Sequence, residues 1–183
     1  MEARRETTHP VSSVIASRPS TAPPLAMRIS SSNDAASDIA CYALAAMATD
    51  RTPSAPEISD RIRAEPWARS LGIEYVELSR GYCRLRLRLQ PHMVNFQGFP
   101  HGGVIFSLAD VAFGAACNSH GDPAVALSVT IDFLSAVTPE STLVAEAREV
   151  KQGRRAGFYE VSVATEDGRT VAAAHCIAHR VAS

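Results

Sequence analysis

The chain lacks an excess of charge of either sign. Its 183 residues include 18 Lys and Arg against 19 Asp and Glu, which leaves a net charge of −1. This balance gives no global reason to expect nucleic acid or an anionic membrane as a partner, although it leaves room for local basic patches. Long apolar runs are missing as well: the strongest candidate, IACYALAAMA at 39–48, is about half as long as the ~18–20 residues of a membrane span. We therefore expect no nucleic acid and no membrane among its partners.

Cysteine pairs at metal-binding or redox spacing are also missing. The four cysteines are widely scattered among apolar neighbours: Cys41, Cys83, Cys117 and Cys176. We interpret them as small apolar residues in a reducing compartment, with disulfides or a zinc site as the alternative. Asp34 and Asp38 precede the apolar patch at 39–48 and no basic segment adjoins it, which argues against a signal peptide. We expect a cytoplasmic protein.

The first 56 residues show little of the apolar periodicity that a packed core requires. They are rich in Arg, Ser, Thr and Pro, and the alanine-rich patch at 39–48 is their one short helical candidate. We interpret residues 1–56 as a disordered extension, with a transit-like segment as the alternative. An upstream start codon would also explain the extension, with Met27 or Met47 as the alternative start. The folded domain is predicted to span 57–183.

The pattern of apolar residues and turn signals in the domain predicts a short helical segment, two strands, one long helix and four further strands. The helical segment is broken by Pro66 and closed by Gly72. Strands are predicted at 73–78, 82–89, 124–133, 142–151, 158–166 and 170–181, and the long helix at 101–121. This helix is nearly all apolar from Val104 to Cys117, so other protein must surround it. One central helix enclosed by a curled antiparallel sheet satisfies this order with short connections, and the fold class is α+β.

An arginine row marks the second predicted strand. The stretch RLRLR at 84–88 places arginines on one face of a strand and leucines on the other. A row of arginines is one feature of nucleic-acid surfaces. We favour the alternative, in which it is the solvated outer face of a half-buried antiparallel strand.

The long helix opens on His-Gly-Gly at 101–103. Glycines at a helix start leave backbone N–H groups without shielding side chains, at the positive end of the helix dipole. Gly102 and Gly103 therefore form a candidate site for an anion or a developing oxyanion. The alternative is that they only let the chain turn tightly into the helix.

Asp110 is a carboxylate among apolar neighbours, in LADVAF at 108–113. A desolvated aspartate can act as a general base or as a nucleophile on an activated acyl group; the alternative is a carboxylate satisfied by backbone or exposed at the helix edge. Asp110 lies about 12 Å from Gly102 along a helix that rises ~1.5 Å per residue. A reacting carbonyl must lie about 3 Å from both groups. We therefore predict an active site shared by two antiparallel helices of a homodimer.

A set of motifs between 65 and 180 resembles one enzyme family. Its pieces are LGI (71–73), RGYCRLRL (80–87), Asn95, HGGVIFSLAD (101–110), AACN (115–118) and IDFLSAV (131–137). Their combined spacing resembles the hotdog-fold acyl-CoA thioesterases of the phenylacetate-degradation, PaaI-like type. The resemblance implies hydrolysis of a phenylacetyl- or hydroxyphenylacetyl-type acyl-CoA to free acid and CoA. It implies no metal or organic cofactor, and we expect the homodimer to assemble further into a homotetramer.

The resemblance also implies roles for individual residues. Asp110 matches the catalytic acid, which activates water or attacks the thioester directly. Gly102 matches the residue whose N–H polarises the thioester carbonyl, and Asn95 and His101 match residues that orient substrate or leaving group. Ser128 matches a polar position that helps to hold the attacking water, with a serine on an outer strand face as the alternative.

Contacts with the CoA portion of the substrate are expected at two places. The loop KQGRRAG at 151–157 falls where the family often places basic residues against the nucleotide, which assigns Arg154 and Arg155 to CoA; a solvated turn is the alternative. Gly103 at the helix start is assigned to the same substrate. Residues 96–100 depart from the family pattern and would reshape the acyl pocket. A hotdog hydratase or dehydratase using His101, and a non-catalytic acyl-CoA-binding domain, are the alternative functions.

Overall fold

The computed structural model of the protein describes residues 55–181. The predicted disordered extension at 1–56, the helical candidate at 39–48 and the alternative starts at Met27 and Met47 lie outside this range, apart from residues 55 and 56. Helix α1 (Ala55–Arg63) begins two residues before the predicted start of the domain. Helix α2 (Pro66–Leu71) follows and ends at Gly72, whose φ of 73° favours glycine. The predicted break and stop of this helical segment are confirmed.

Six antiparallel strands form one sheet in the order β1-β2-β4-β5-β6-β3. The strands are β1 (Glu74–Ser79), β2 (Tyr82–Arg88), β3 (Ala124–Phe133), β4 (Thr142–Gln152), β5 (Ala156–Thr165) and β6 (Thr170–Arg180). Each strand lies within two residues of its predicted bounds. The six predicted strands are therefore confirmed.

The long helix α3 (Gly102–Asn118) lies against the inner face of the sheet and contacts all six strands. Its Phe113 is almost fully buried and packs edge-on against Tyr159, with ring centroids 5.4 Å apart. Full burial of a side chain of this size stabilises a fold by roughly 1.5–3 kcal/mol. The prediction of one central helix enclosed by a curled antiparallel sheet is confirmed. None of the helices within 55–181 is long and apolar enough to cross a membrane.

The arginine row of β2 lies on the outer face of the sheet. Arg84 forms an ion pair with Glu146 (3.5 Å) and Arg86 with Glu166 (2.9 Å), while the leucines between the arginines are buried. Such exposed ion pairs contribute little to stability, about 0–1 kcal/mol each. Carboxylates on neighbouring elements thus pair with two of the three arginines, in agreement with a solvated outer face.

The cysteines of the described region lie in the core. Cys83, Cys117 and Cys176 are buried with free thiols, as expected of small apolar residues. Cys41 lies outside the described residues.

Strand β3 is an edge of the sheet, because its only partner strand among the described residues is β6. A bulge at Leu127 interrupts the pairing with β6. Leu127 is 58% exposed, Phe133 at the strand end 54% and Leu134 58%. An edge strand that carries exposed large apolar side chains offers a surface for pairing with another chain.

Candidate active site

A short loop positions the start of α3. Val94 and Pro100 form a β-bridge that closes this loop. The Oδ1 of Asn95 accepts hydrogen bonds from the backbone N–H groups of Gln97 (2.9 Å) and Phe99 (3.2 Å). The side-chain oxygen of Asn95 therefore fixes the loop. Its Nδ2 group has no hydrogen-bond partner within 55–181 and stays available as a donor.

His101 caps α3 and separates the two glycine donors. Its Nδ1 accepts a hydrogen bond from the Gly103 N–H at 2.9 Å, so in the neutral ring the proton lies on Nε2. The Gly102 N–H, at the first helical position, has no acceptor among the described residues. The N–H of Gly102 is thus free to meet a substrate oxygen, whereas a contact from the Gly103 N–H would compete with the cap.

A groove of about 290 Å³ lies beside Gly102. Its lining is largely apolar and includes Phe99, Ile105 and Phe133. A Cβ atom placed on Gly102 would lie 3.4 Å from the Phe133 ring, so this ring packs directly against the helix start. Gly102, with its free N–H, therefore lines a site with flat, apolar walls.

Asp110 lies in the middle of α3, is half-buried, and lines a larger cavity of about 690 Å³. The opposite wall comes from α1 and the start of α2, with Ile58, Ile62 and Pro66 among its residues. Burial raises the pKa of Asp110 above its usual range. A carboxylate in such surroundings is a stronger base than an exposed one.

Gly102 and Asp110 face different cavities of the same chain. The groove and the cavity have no lining residue in common. The separation along α3 is about 12 Å at ~1.5 Å per residue. One chain therefore brings Asn95, His101 and Gly102 together at the helix start but does not bring Asp110 to them.

Ser128 is exposed on β3 and faces away from α3. It lies opposite Ile177 of β6, and directly paired residues point to the same face of a sheet. The neighbours of Ile177, Cys176 and Ala178, are buried against the helix, so Ile177 points outward. Within one chain Ser128 does not lie beside Asp110, and its position matches the alternative of a serine on an outer strand face.

Arg154 and Arg155 are exposed in the turn between β4 and β5. The backbone carbonyl of Arg155 accepts a hydrogen bond from the Arg180 N–H at 2.9 Å. The guanidinium of Arg180 pairs with Asp122, which lines the Asp110 cavity. This chain of contacts links the basic turn to the lining of that cavity through Arg180, although neither Arg154 nor Arg155 lines the cavity itself.

Two residues with no role assigned from the sequence also line these spaces. Glu65 lines the Asp110 cavity and accepts a hydrogen bond from the Tyr75 hydroxyl at 3.3 Å. A single acid before a proline carries no specific signal, because its direction depends on how α2 packs. Phe133 lies within the IDFLSAV motif, but only the folded sheet brings it onto Gly102.

Comparison with known proteins identifies the class of enzyme. The profile of the Thioesterase superfamily matches residues 97–172. The Acyl-coenzyme A thioesterase PaaI of Escherichia coli K12 is 38% identical over 114 residues, which cover 62% of this chain and 81% of that protein. The chain therefore belongs to the thioesterase superfamily, among the PaaI-like hotdog thioesterases, and is a thioester hydrolase.

Solved structures show the same fold. The PaaI protein from the E. coli phenylacetic acid degradation operon matches with a TM-score of 0.65 at 33% identity, and the match covers 71% of this chain and 98% of that one. A hypothetical thioesterase protein from Streptococcus pneumoniae, solved with coenzyme A, matches with a TM-score of 0.58 at 26% identity, over 60% of this chain and 85% of that one. The hotdog fold expected from the motifs is confirmed.

Proposed function

We propose that this thioesterase hydrolyses an acyl-CoA to free acid and coenzyme A, with Asp110 and the Gly102 N–H acting on one thioester from different protomers of a homodimer. The observation that carries the proposal is the placement of these two groups on one helix but in two separate cavities. Coenzyme A as the thiol portion is supported by the similarity to an acyl-CoA thioesterase and to a hypothetical thioesterase protein solved with coenzyme A.

Asp110 supplies the base or the nucleophile. As a base, its carboxylate takes a proton from water while the water oxygen attacks the thioester carbon, and the CoA thiolate leaves. As a nucleophile, the carboxylate attacks the same carbon, the thiolate leaves, and water hydrolyses the resulting anhydride. Both routes require the ionised carboxylate, and its burial favours both because it makes that carboxylate more basic.

The start of α3 stabilises the charge that develops on the thioester oxygen. The free N–H of Gly102 lies at the positive end of the helix dipole, where a negative oxygen is favoured. The Nε2–H of His101 and the Nδ2–H of Asn95 have no partners among residues 55–181. These donors are available to orient the substrate or the leaving group.

The exposed edge of β3 is the surface that supports dimer formation. Leu127, Phe133 and Leu134 expose apolar area along this edge, and the Phe133 ring packs on Gly102. Antiparallel pairing of this edge with its copy would place Phe133, beside the oxyanion donor, opposite the start of the partner's strand, where Ala124 and Ala126 line the Asp110 cavity. Further assembly into a homotetramer belongs to the same proposal. Because Ser128 faces away from α3 in its own chain, its proposed role at the attacking water requires a further protomer that packs against the outer face of β3.

The substrate is proposed to carry an aromatic acyl group of the phenylacetyl or hydroxyphenylacetyl type. Phe99 and Phe133 give the groove beside Gly102 flat apolar walls, against which an aromatic ring packs well. Arg154 and Arg155, exposed in the turn that Arg180 links to the Asp110 cavity, supply positive charge for the phosphates of coenzyme A.

Hydrolysis is favoured over hydration or dehydration of a hydroxyacyl substrate. A hydratase or dehydratase would need His101 as a proton carrier, but its Nδ1 accepts the capping hydrogen bond from Gly103. Asp110, in contrast, makes no hydrogen bond to another described side chain and is available for chemistry. Its presence also argues against a domain that only binds acyl-CoA.

A panel of acyl-CoA substrates tests the proposal. Acetyl-, phenylacetyl-, hydroxyphenylacetyl- and long-chain acyl-CoA would be compared by release of free thiol. We expect the highest kcat/KM with the aromatic substrates. The Asp110→Asn variant, measured in parallel, should release thiol only at the background rate. A preference for long chains would remove the aromatic part of the proposal, and no turnover of any acyl-CoA would contradict it entirely.

A further inference from the structure

Glu65 is a second carboxyl group at the Asp110 cavity, and its position is fixed by contacts. It immediately precedes α2 but makes no side-chain capping bond to that helix. Its Oε2 instead accepts a hydrogen bond from the Tyr75 hydroxyl at 3.3 Å, and the side chain is half-buried. Arg63 holds Tyr75 in turn, since its Nη1 donates to the Tyr75 carbonyl at 3.3 Å and its guanidinium lies 5.7 Å from the ring centroid.

Glu65 and Asp110 reach the same cavity from different elements, the start of α2 and the middle of α3. The walls between them are largely apolar and include Ile58, Ile62 and Val111. Charges in such surroundings are screened less than in water. Two carboxyl groups that share a site therefore oppose each other's ionisation.

The electrostatics of the two groups are linked. Burial raises the pKa of Glu65, and the negative charge of Asp110 raises it further, whereas the hydrogen bond from Tyr75 lowers it. The interaction between two charges is reciprocal, so an ionised Glu65 resists ionisation of Asp110 by the same free energy. An ionised Asp110 therefore keeps Glu65 protonated to a higher pH, and Glu65, once it ionises, in turn makes Asp110 more basic.

The other titratable and charged groups near this pair do not replace Glu65. Arg61 of α1 lines the cavity but is exposed to solvent. Asp122, after α3, is paired with an arginine of β6. Burial raises the pKa of Cys117 of α3 to about 12 and that of Cys176 of β6 to about 11, so both thiols stay neutral at neutral pH.

We propose that Glu65, held by Tyr75, is a positioning residue for the thioesterase reaction: it competes with Asp110 for a proton across their shared cavity and thereby sets how basic Asp110 is. The proposal rests on the proposed role of Asp110 as base or nucleophile. The effect of Glu65 on the titration of Asp110 can be measured without turnover. A failure of this proposal can therefore be told apart from a failure of the role proposed for Asp110.

The direct test is the titration of Asp110 itself. Protein labelled with ¹³C at the aspartate carboxyl carbon would be followed by NMR across pH, with Asp110→Asn to assign the resonance. We expect Glu65→Gln to lower the pH at which the titration of Asp110 is complete by roughly 0.5 unit, because the amide carries no opposing charge at the pH where Glu65 would ionise. Glu74→Gln is the matched control, since Glu74 is an exposed carboxylate on β1 that pairs with Arg86, and should leave the titration unchanged.

Tyr75→Phe provides a second variant in which Glu65 is kept. Loss of the hydrogen bond raises the pKa of Glu65, so Glu65 stays neutral to a higher pH and Asp110 titrates lower, by less than in Glu65→Gln. This variant also tests the proposal if Glu65→Gln does not fold.

The pH profile of kcat should follow the titration. Its acid limb should move to lower pH in both variants, whereas a merely structural defect would lower kcat at every pH without moving the limb. An Asp110 titration that does not change in either folded variant would overturn the proposal. Should the titration shift while Asp110→Asn remains fully active, the coupling stands and the role assigned to Asp110 is wrong.

Discussion

Replacing Gly102 with proline would remove one backbone N–H and leave the rest of the helix start intact. Gly102 is the first residue of α3, a position where proline is well tolerated. His101 before it is already extended, at φ −69° and ψ 131°, as the residue preceding a proline prefers. The capping bond from Gly103 to His101 does not involve the altered group. We therefore expect Gly102→Pro to fold and assemble.

Gly102→Ala is the matched control, because it adds a Cβ atom but keeps the N–H. This Cβ would lie 3.4 Å from the Phe133 ring, at the near edge of ordinary van der Waals contact. We expect kcat of the alanine variant to stay within a few-fold of wild type. Any larger loss in the proline variant then reports the missing donor.

The expected loss in kcat is large because the Gly102 N–H has no acceptor among the described residues and is free to stabilise the oxyanion. Removal of one oxyanion donor lowers kcat by about 10²–10³, or roughly 2.7–4 kcal/mol of transition-state stabilisation. The assay is thiol release from the best acyl-CoA, with circular dichroism and size-exclusion chromatography as checks of fold and assembly. A folded proline variant with kcat close to that of the alanine variant would refute the role of Gly102.

Three further variants test other parts of the site. Asp110→Asn should lower turnover by about 10²-fold or more. It should also raise the melting temperature at pH 7 but not in acid. Burial raises the pKa of Asp110, so the wild-type fold loses stability as the pH rises through that pKa, and the variant does not. Alanine at both Arg154 and Arg155 should raise KM for acyl-CoA with kcat unchanged, and an unchanged KM would leave the turn without a role in CoA binding. Removal of residues 1–54 should leave an active enzyme that stays in solution, since the segment lacks apolar periodicity; precipitation or loss of activity would show that it packs on the domain.

The fold was largely predictable because its main signals are local. The apolar circumference of α3 required a surrounding sheet, and the RLRLR stretch fixed the inner and outer faces of β2. It was not predictable that the Gly103 N–H donates to His101 while the Gly102 N–H stays free. This difference depends on the direction in which the His101 ring turns to cap the helix.

Ser128 and Glu65 show where local patterns stop being informative. Simple alternation from the buried Ala124 would point Ser128 inward, but the bulge at Leu127 shifts the register and points it outward. Glu65 faces the Asp110 cavity only because α2 packs beside α3 and Tyr75 holds its carboxyl. Neither effect leaves a signal in the sequence near the residue concerned.

The central claim is that Asp110 and Gly102 act on one thioester from different chains. The measurement that tests it most directly uses mixed dimers of Asp110→Asn subunits and Gly102→Pro subunits, each of which alone should keep about one hundredth of the wild-type activity or less. In a mixed dimer, one site pairs the intact aspartate of one chain with the intact glycine of the other, and the second site carries both lesions.

Random mixing of equal amounts makes about half of the dimers mixed, and half of the sites in those dimers are intact. Thiol release should therefore recover to about one quarter of the wild-type rate, once size-exclusion chromatography has shown that the mixture assembles. No recovery above either parent in correctly assembled mixed dimers would contradict the shared site.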